Sequence, residues 1–399
     1  MKFGFFVFPH LGGTYSVFRN LREGLAAEGI ELCWLSASGA AHDAAAGAFF
    51  CAERAAGRLV GRPGDTPAAQ ARALREVLLD EGFDGVVVNV LADPAETNLV
   101  RYLPPGLLRV MIVHNITPGT YAAAAAIRDH VHATVAISPR IRDDLIGALG
   151  FEAARLHLIP HGVARLAAPR VRRVKGSPLR VLFLGRIDEQ AKGVSWLPAI
   201  YRDLGRPAAL TIAGDGPDLP KLRRQLAPLD RVRFLGGVAP DAARRLFAAH
   251  DVFLMPSRFE GFGMVLAEAM SAGCVPVASR ISGVTDAIVT HGRDGLLFPV
   301  GRTQAAAAAI DSLAADPARL NAMSRAAAIG VRERFSLERC AASYGALFAR
   351  LAADPPAVPP ARDFGGWALP RGLRPGLRTR LPPPVKNVMR EWRERLAAH

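Results

Sequence analysis

Val252-Phe253-Leu254-Met255-Pro256-Ser257-Arg258-Phe259-Glu260-Gly261-Phe262-Gly263, followed by Met264–Ala272, is the stretch on which the reading of this chain turns. Four apolar residues form a short strand, Pro256 ends it, and the glycines mark a loop that opens a helix. Glu260 stands just before that helix and Glu268 two turns into it. A carboxylate can accept hydrogen bonds from neighbouring hydroxyls of a sugar, while the loop amides suit phosphate oxygens.

Working outward, the same strand-then-helix unit recurs. Downstream of residue 177 the strands expected are Leu179–Leu184, Ala209–Ala213, Val232–Leu235, Val252–Met255, Val275–Ala278 and Gly295–Phe298. Upstream they are Lys2–Phe8, Ile30–Leu35, Gly85–Asn89, Arg109–Val113, Ala133–Ile137 and Leu156–Ile159, with helices over Tyr15–Glu28, Ala68–Glu81 and Arg140–Leu149. Alternating strands and helices predict parallel sheets covered on both faces, here in two doubly wound α/β domains. Ala164–Ser177, rich in Arg, Ala and Pro, reads as the linker between them. Domains are therefore expected over 1–170 and 171–350, with a Pro/Arg-rich tail over 351–399.

The chain has 399 residues, half of them apolar and 22% charged, which excludes wholesale disorder. Met1–Phe8 resembles a short leader, but Pro9 ends its apolar run, so a buried first strand and a cytoplasmic protein are expected. The widely spaced Cys33, Cys51, Cys274 and Cys340 form no metal-ligand pattern and are expected as core thiols. The net charge of +14 calls for anionic partners. Nine basic residues against Asp363, Glu391 and Glu394 lie between Pro355 and His399, so this tail supplies +6 of it. The body is only moderately basic, and nucleic acid is not expected as a partner. Val385, Met389, Trp392 and Leu396 fall near one stripe of a C-terminal helix over Val385–Ala398. That helix is expected either to cross back to the N-terminal domain or to touch an anionic membrane surface as a peripheral contact; the sequence leaves both open.

Two further loops carry chemistry. Gly185-Arg186-Ile187-Asp188 follows a strand and Lys192-Gly193 follows closely, placing two cations at a sheet edge where a diphosphate can bind. Gly214-Asp215-Gly216-Pro217 allows close backbone approach after the next strand.

Together with Ile159-Pro160-His161-Gly162-Val163, Phe234-Leu235-Gly236 and Glu268-Ala269-Met270 through Gly273, these motifs resemble the retaining nucleotide-sugar glycosyltransferases of glycosyltransferase family 4. The resemblance covers most of Ile159–Val300; His161 departs from the Asn of many members, a change that reads as tolerated in a turn. It implies the GT-B fold, two Rossmann-like domains facing across a cleft, and transfer of a hexosyl group from a GDP-mannose or UDP-glucose type donor to a glycan or lipid-linked acceptor, with retention and without metal or other cofactor. Carried over, Arg186 and Lys192 would hold the diphosphate, and Glu260 would contact the transferred sugar. The amides of Gly261, Phe262, Gly263, Met264 and Val265 would lie near its hydroxyls and the phosphates. Glu268 would bind the ribose, and Gly185, Gly214, Gly216 and Gly236 would line the donor site. Gly12-Gly13 matches the family's glycine loop, and His114 falls where members place a His on the acceptor side; His10 is a weaker candidate. An epimerase or phosphorylase on the same fold, or a non-catalytic nucleotide-sugar binding protein, are the alternatives.

Overall fold

The computed structural model describes residues 1–90, 93–165, 176–374 and 382–397. Contacts divide the chain into two units: Met1–Gly162 with Leu337–Arg380, and Val163–Ser336 with Leu381–His399.

The first unit holds a seven-stranded sheet. Its strands are β1 (Lys2–Phe6), β2 (Glu31–Ser36), β3 (Gly57–Leu59), β4 (Gly85–Asn89), β5 (Leu108–Val113), β6 (Ala133–Ala136) and β7 (Leu156–Leu158), in the order β3-β2-β1-β4-β5-β6-β7. The second holds β8 (Leu179–Leu184), β9 (Ala208–Ala213), β10 (Val232–Gly236), β11 (Val252–Met255), β12 (Val275–Arg280) and β13 (Leu296–Pro299), in the order β10-β9-β8-β11-β12-β13. Every described pairing between these strands is parallel. Each unit is thus a doubly wound, Rossmann-like sheet. Its strand order reverses between β1 and β4 in the first unit and between β8 and β11 in the second, and ligands of such sheets bind beyond the carboxyl ends at that reversal.

The apolar runs form strands because both faces are covered: all residues of β4 and β5 are buried. The opening segment is a central strand, with Phe3, Phe5 and Phe6 fully buried. The sequence reading misses β3, a three-residue edge strand too short to show alternation; Gly57 lies so close to the Trp34 ring and carbonyl that a Cβ would overlap them. The thiols differ from expectation as well: Cys274 and Cys340 are buried, Cys33 is half-buried and Cys51 is exposed.

The domain limits also differ. The expected boundary at 170, and most of the expected linker, lie outside the described residues. The expected limit at 350 falls inside helix Leu337–Ala353, which packs with the first unit. Its buried Cys340, Tyr344, Leu347, Phe348 and Leu351 form one helical face. Phe348 stacks on Phe3 with centroids 4.1 Å apart, and Ala341 meets Gly24 of helix Gly13–Ala26 where there is no room for a Cβ. Beyond it Phe364 and Trp367 pack on Tyr102. The last helix, Pro383–Ala397, groups with the second unit instead. Among the described residues no helix is long and apolar enough to cross a membrane.

The ends of β8, β9 and β10 are knitted by backbone bonds: Gly185 N–H to Ala213 O (3.0 Å), Ile187 N–H to Asp215 O (2.8 Å) and Gly214 N–H to Gly236 O (2.7 Å). Gly214, at φ +136°, lies so close to the Gly185 carbonyl that any Cβ would overlap it. Gly214→Ala is expected to destabilise the protein by roughly 1–3 kcal/mol, the scale of enforced backbone strain, lowering the melting temperature by several degrees. Gly237→Ala, where a Cβ meets nothing within 4 Å, should leave it unchanged; equal melting curves for the two variants would contradict this reading.

Candidate active site

In the second unit, the two loops that leave the strands flanking the reversal carry the charged residues. After β8 the chain runs through Gly185 and Arg186 to Asp188, whose Oδ1 accepts the Gln190 N–H at 2.8 Å and so caps the short turn Glu189–Lys192. Gly193 ends that turn at φ +58°, pressed against the Pro256 carbonyl and the Trp196 ring, so a side chain has no room there. After β11 come Pro256 to Gly263, and Gly263, at φ +102°, starts helix Met264–Ser271. The N–H groups of Met264 and Val265, in the first turn, have no intrahelical acceptor by geometry. Gly261 and Phe262 are buried beneath them.

The two loops meet. Lys192 Nζ donates to Glu260 Oε1 at 2.6 Å, and Ser257 Oγ donates to the same oxygen at 2.6 Å. Both side chains are mostly buried, so the pair is shielded from water and salt. Among the described residues nothing pairs with Glu260 Oε2, and Lys192 is neutralised in place rather than standing as a bare cation. Arg186 is different: its side chain is 72% exposed and 3.9 Å from Asp188, open to any anion that reaches the sheet edge.

Arg258 holds the junction together. Its N–H donates to Ala191 O (2.8 Å) and its Nε to Glu189 O (3.0 Å), while the guanidinium lies 3.9 Å over the Trp196 ring. It also pairs with the carboxylates of Glu189 and, from the last helix, Glu391. Glu189 in turn accepts from Ser195 N–H and Oγ at 2.7 Å each. Sequence reasoning passed over Arg258, Ser257, Glu189 and Trp196. The signal for Arg258 was present, a cation two residues before Glu260, but its acidic partners are 69 and 133 residues away in sequence.

Glu268 lies one helical face away. Burial pushes its carboxyl up to about 7, opposed only by the attraction of Arg244. Among the described residues it has no hydrogen-bond donor, and because it is only half-buried its oxygens stay open to the hydroxyls of a ligand. The Gly236 carbonyl is already engaged by Gly214.

In the first unit, the expected residues gather at the corresponding edge. Gly12 caps helix Gly13–Ala26 after β1, and His10 is fixed in that loop: Nδ1–H donates to Phe8 O (2.8 Å) and Nε2 accepts from Thr14 Oγ1 (3.1 Å). A Cβ at Gly12 would collide with the His10 ring, whereas one at Gly13 meets nothing. His114 follows β5, with Nε2 2.6 Å from Oδ1 of Asn89, the last residue of β4. Asn89 Nδ2 donates to Phe6 O at 2.8 Å, which turns its oxygen toward His114 and fixes the tautomer with a bare Nδ1. Burial lowers the His114 pKa to about 4, so the imidazole is neutral at pH 7. His161, expected as a turn residue, is in fact buried, with its ring stacked on His114 at 5.3 Å. The site residues therefore fall into two groups, one at the carboxyl edge of each sheet.

This pair of doubly wound units with charged loops at the reversal defines a class, the GT-B glycosyltransferases. The family model described as "Glycosyltransferase Family 4" matches residues 11–165, and that described as "Glycosyl transferases group 1" matches residues 178–316. The chain belongs to this family. It is 31% identical over 282 residues to the D-inositol 3-phosphate glycosyltransferase of Rhodococcus opacus, covering 70% of this chain and 56% of that protein. It is 33% identical to the sulfoquinovosyl transferase SQD2 of Arabidopsis thaliana over 42% of this chain and 35% of that one. The chain spans about half the length of these curated relatives. Among solved structures, Anabaena Alr3699/HepE in complex with UDP-glucose shares the fold with a TM-score of 0.73 at 18% identity, covering 88% of this chain and all of that one. A sucrose-phosphate synthase from Thermosynechococcus elongatus gives 0.71 at 20%, covering 88% and 99%.

The raised pKa of Glu268 gives a pH signature. An ionised carboxylate is the stronger acceptor of hydroxyl donors, so affinity for a nucleotide sugar, whose phosphates keep their charge over this range, should rise as pH goes from 6 through about 7 and level off above 8. Calorimetric titration across that range tests it. Glu268→Gln should bind more weakly and show a flat profile, and a wild-type profile equally flat would remove Glu268 from the site.

Proposed function

We propose that the chain transfers a hexosyl group from a nucleoside-diphosphate sugar, of the GDP-mannose or UDP-glucose type, to a hydroxyl of a glycan or lipid-linked acceptor. The observation that carries this reading is the meeting of Lys192 and Glu260 from the two loops at the sheet reversal, with the exposed Arg186 on one of those loops. A diphosphate needs cations, a sugar needs a fixed acceptor oxygen, and one edge supplies both. Family membership supports the same reading, and the UDP-glucose complex of the Anabaena protein is compatible with it.

In the reaction, the bond between the anomeric carbon and the β-phosphate oxygen breaks as the acceptor oxygen bonds to that carbon. Positive charge develops on the sugar and negative charge on the leaving diphosphate. Arg186 would meet the leaving charge directly. Lys192 would shift part of its interaction from Glu260 to the phosphate as that charge grows, so that a preorganised cation replaces a metal. Glu260, through its available oxygen, would hold a hydroxyl of the transferred sugar. Front-face attack, with the leaving phosphate oxygen taking the acceptor's proton, gives retention without a second carboxylate. A neutral His114 with a bare Nδ1 is suited to accept a hydrogen bond from a sugar hydroxyl without adding charge. Surface polysaccharide or glycolipid assembly at the inner face of a membrane is the setting that fits such an acceptor.

The test is turnover with a panel of nucleotide sugars, in chelator and without added metal. Arg186→Ala and Lys192→Ala should each lower kcat by roughly 10²–10³-fold, the usual cost of removing a group aimed at developing charge. Melting temperatures close to wild type would exclude unfolding as the cause. Unchanged turnover in both variants, or an inverted product, would refute the mechanism.

A further inference from the structure

The last helix, Pro383–Ala397, presents its apolar stripe outward. Val385, Val388, Met389 and Trp392 are 45%, 65%, 58% and 68% exposed. Among the described residues these four belong to only nine large apolar side chains that stand so open. Their spacing puts them on one face, a contiguous patch rather than scattered contacts. The opposite face holds the helix down: Asn387 and Glu394 are buried, and Glu391 pairs with Arg258. Both acidic residues of the segment are thereby turned into the protein. The other charged residues in its sequence are Lys386, Arg390, Arg393 and Arg395, all basic. An outward apolar stripe with an exposed Trp, on a helix whose two acids face inward, one of them paired with Arg258, and whose other charged residues are basic, has the composition of a helix that lies in a lipid interface.

We infer that this face docks on an anionic lipid surface, with the four apolar side chains entering the interface and the net positive charge of the segment's sequence drawing it to the headgroups. Charge complementarity selects lipid over a second copy of the chain, because two such faces brought together would set positive segments side by side. The attachment reaches the site by a short path, since Arg258, which receives Glu391, is two residues before Glu260. This inference rests on the helix alone and not on the donor chemistry proposed above.

The experiment uses the full chain and unilamellar vesicles, either phosphatidylglycerol mixed with phosphatidylcholine or phosphatidylcholine alone. Co-sedimentation is expected with the anionic vesicles only, falling as salt rises from 0.1 to 0.5 M (about one Debye length of 10 Å down to a few Å). Brominated lipid should quench tryptophan emission, and Trp392→Phe should abolish that quenching. Val388→Ser combined with Met389→Ser should reduce partitioning about tenfold or more, while Ile329→Ser, at an exposed apolar position elsewhere, should not change it. All are exposed positions, so unchanged melting curves check the fold. Absence of binding to anionic vesicles, equal binding to neutral ones, or the same loss in Ile329→Ser would overturn the inference. So would self-association in lipid-free sedimentation that the helix variants abolish.

Discussion

A single buried guanidinium decides how the charged edge of the second sheet is built. Arg258 is 7% exposed, stacked on Trp196 and matched by two carboxylates. Removing such a charge from water is costly unless its hydrogen-bonding capacity is met, and two anions with a backbone carbonyl meet it here. The arrangement adds little net stability by itself. Its effect is specificity of placement: the turn before Lys192 and the loop before Glu260 are locked in one register, which brings Nζ and Oε1 to 2.6 Å. Glycine does the rest at Gly193 and Gly214, where backbone takes the space a side chain would need.

The two sheet edges solve different electrostatic problems. The second concentrates charge: a shielded ion pair, an open Arg186 and a carboxylate, Glu268, poised near neutrality by burial. The first is held uncharged: burial keeps His114 neutral, Asn89 fixes its tautomer, and His161 packs on its ring. Under the proposed transfer, the charged edge would suit a phosphate and the uncharged edge a neutral hydroxyl.

Much of this was legible in the sequence, for identifiable reasons. Buried parallel strands must be continuous apolar runs, so twelve of the thirteen described strands stand out, and only the edge strand Gly57–Leu59 does not. The loops at Gly185–Lys192 and Pro256–Gly263 carry glycines and charges in fixed order, so their residues could be named before any geometry was known. What sequence hid depends on distant pairing. Glu391 and Arg258 are 133 residues apart, and nothing local marks one as the partner of the other. The surroundings of the last helix stayed open for a related reason: periodicity locates an apolar stripe but not the neighbour it meets, and here buried Asn387 and Glu394 take the inward side. His161 looked like a turn residue because its packing partner, His114, comes from another strand end.

The route of the chain has a consequence for its birth. Phe348 stacks on Phe3, so the first unit's core joins residues near the beginning to residues made after the whole of the second sheet. The second unit in turn draws Glu391 from the final helix. Domains generally fold in the order in which they emerge from the ribosome. Here neither unit is finished until the segments that follow both sheets have been made. The nascent first sheet waits with the Phe3 side of its core short of a partner, and the Arg258 cation waits for its second counterion. Completion of both halves therefore waits on one continuous stretch, from Leu337 onward, that is made after the strands of both sheets.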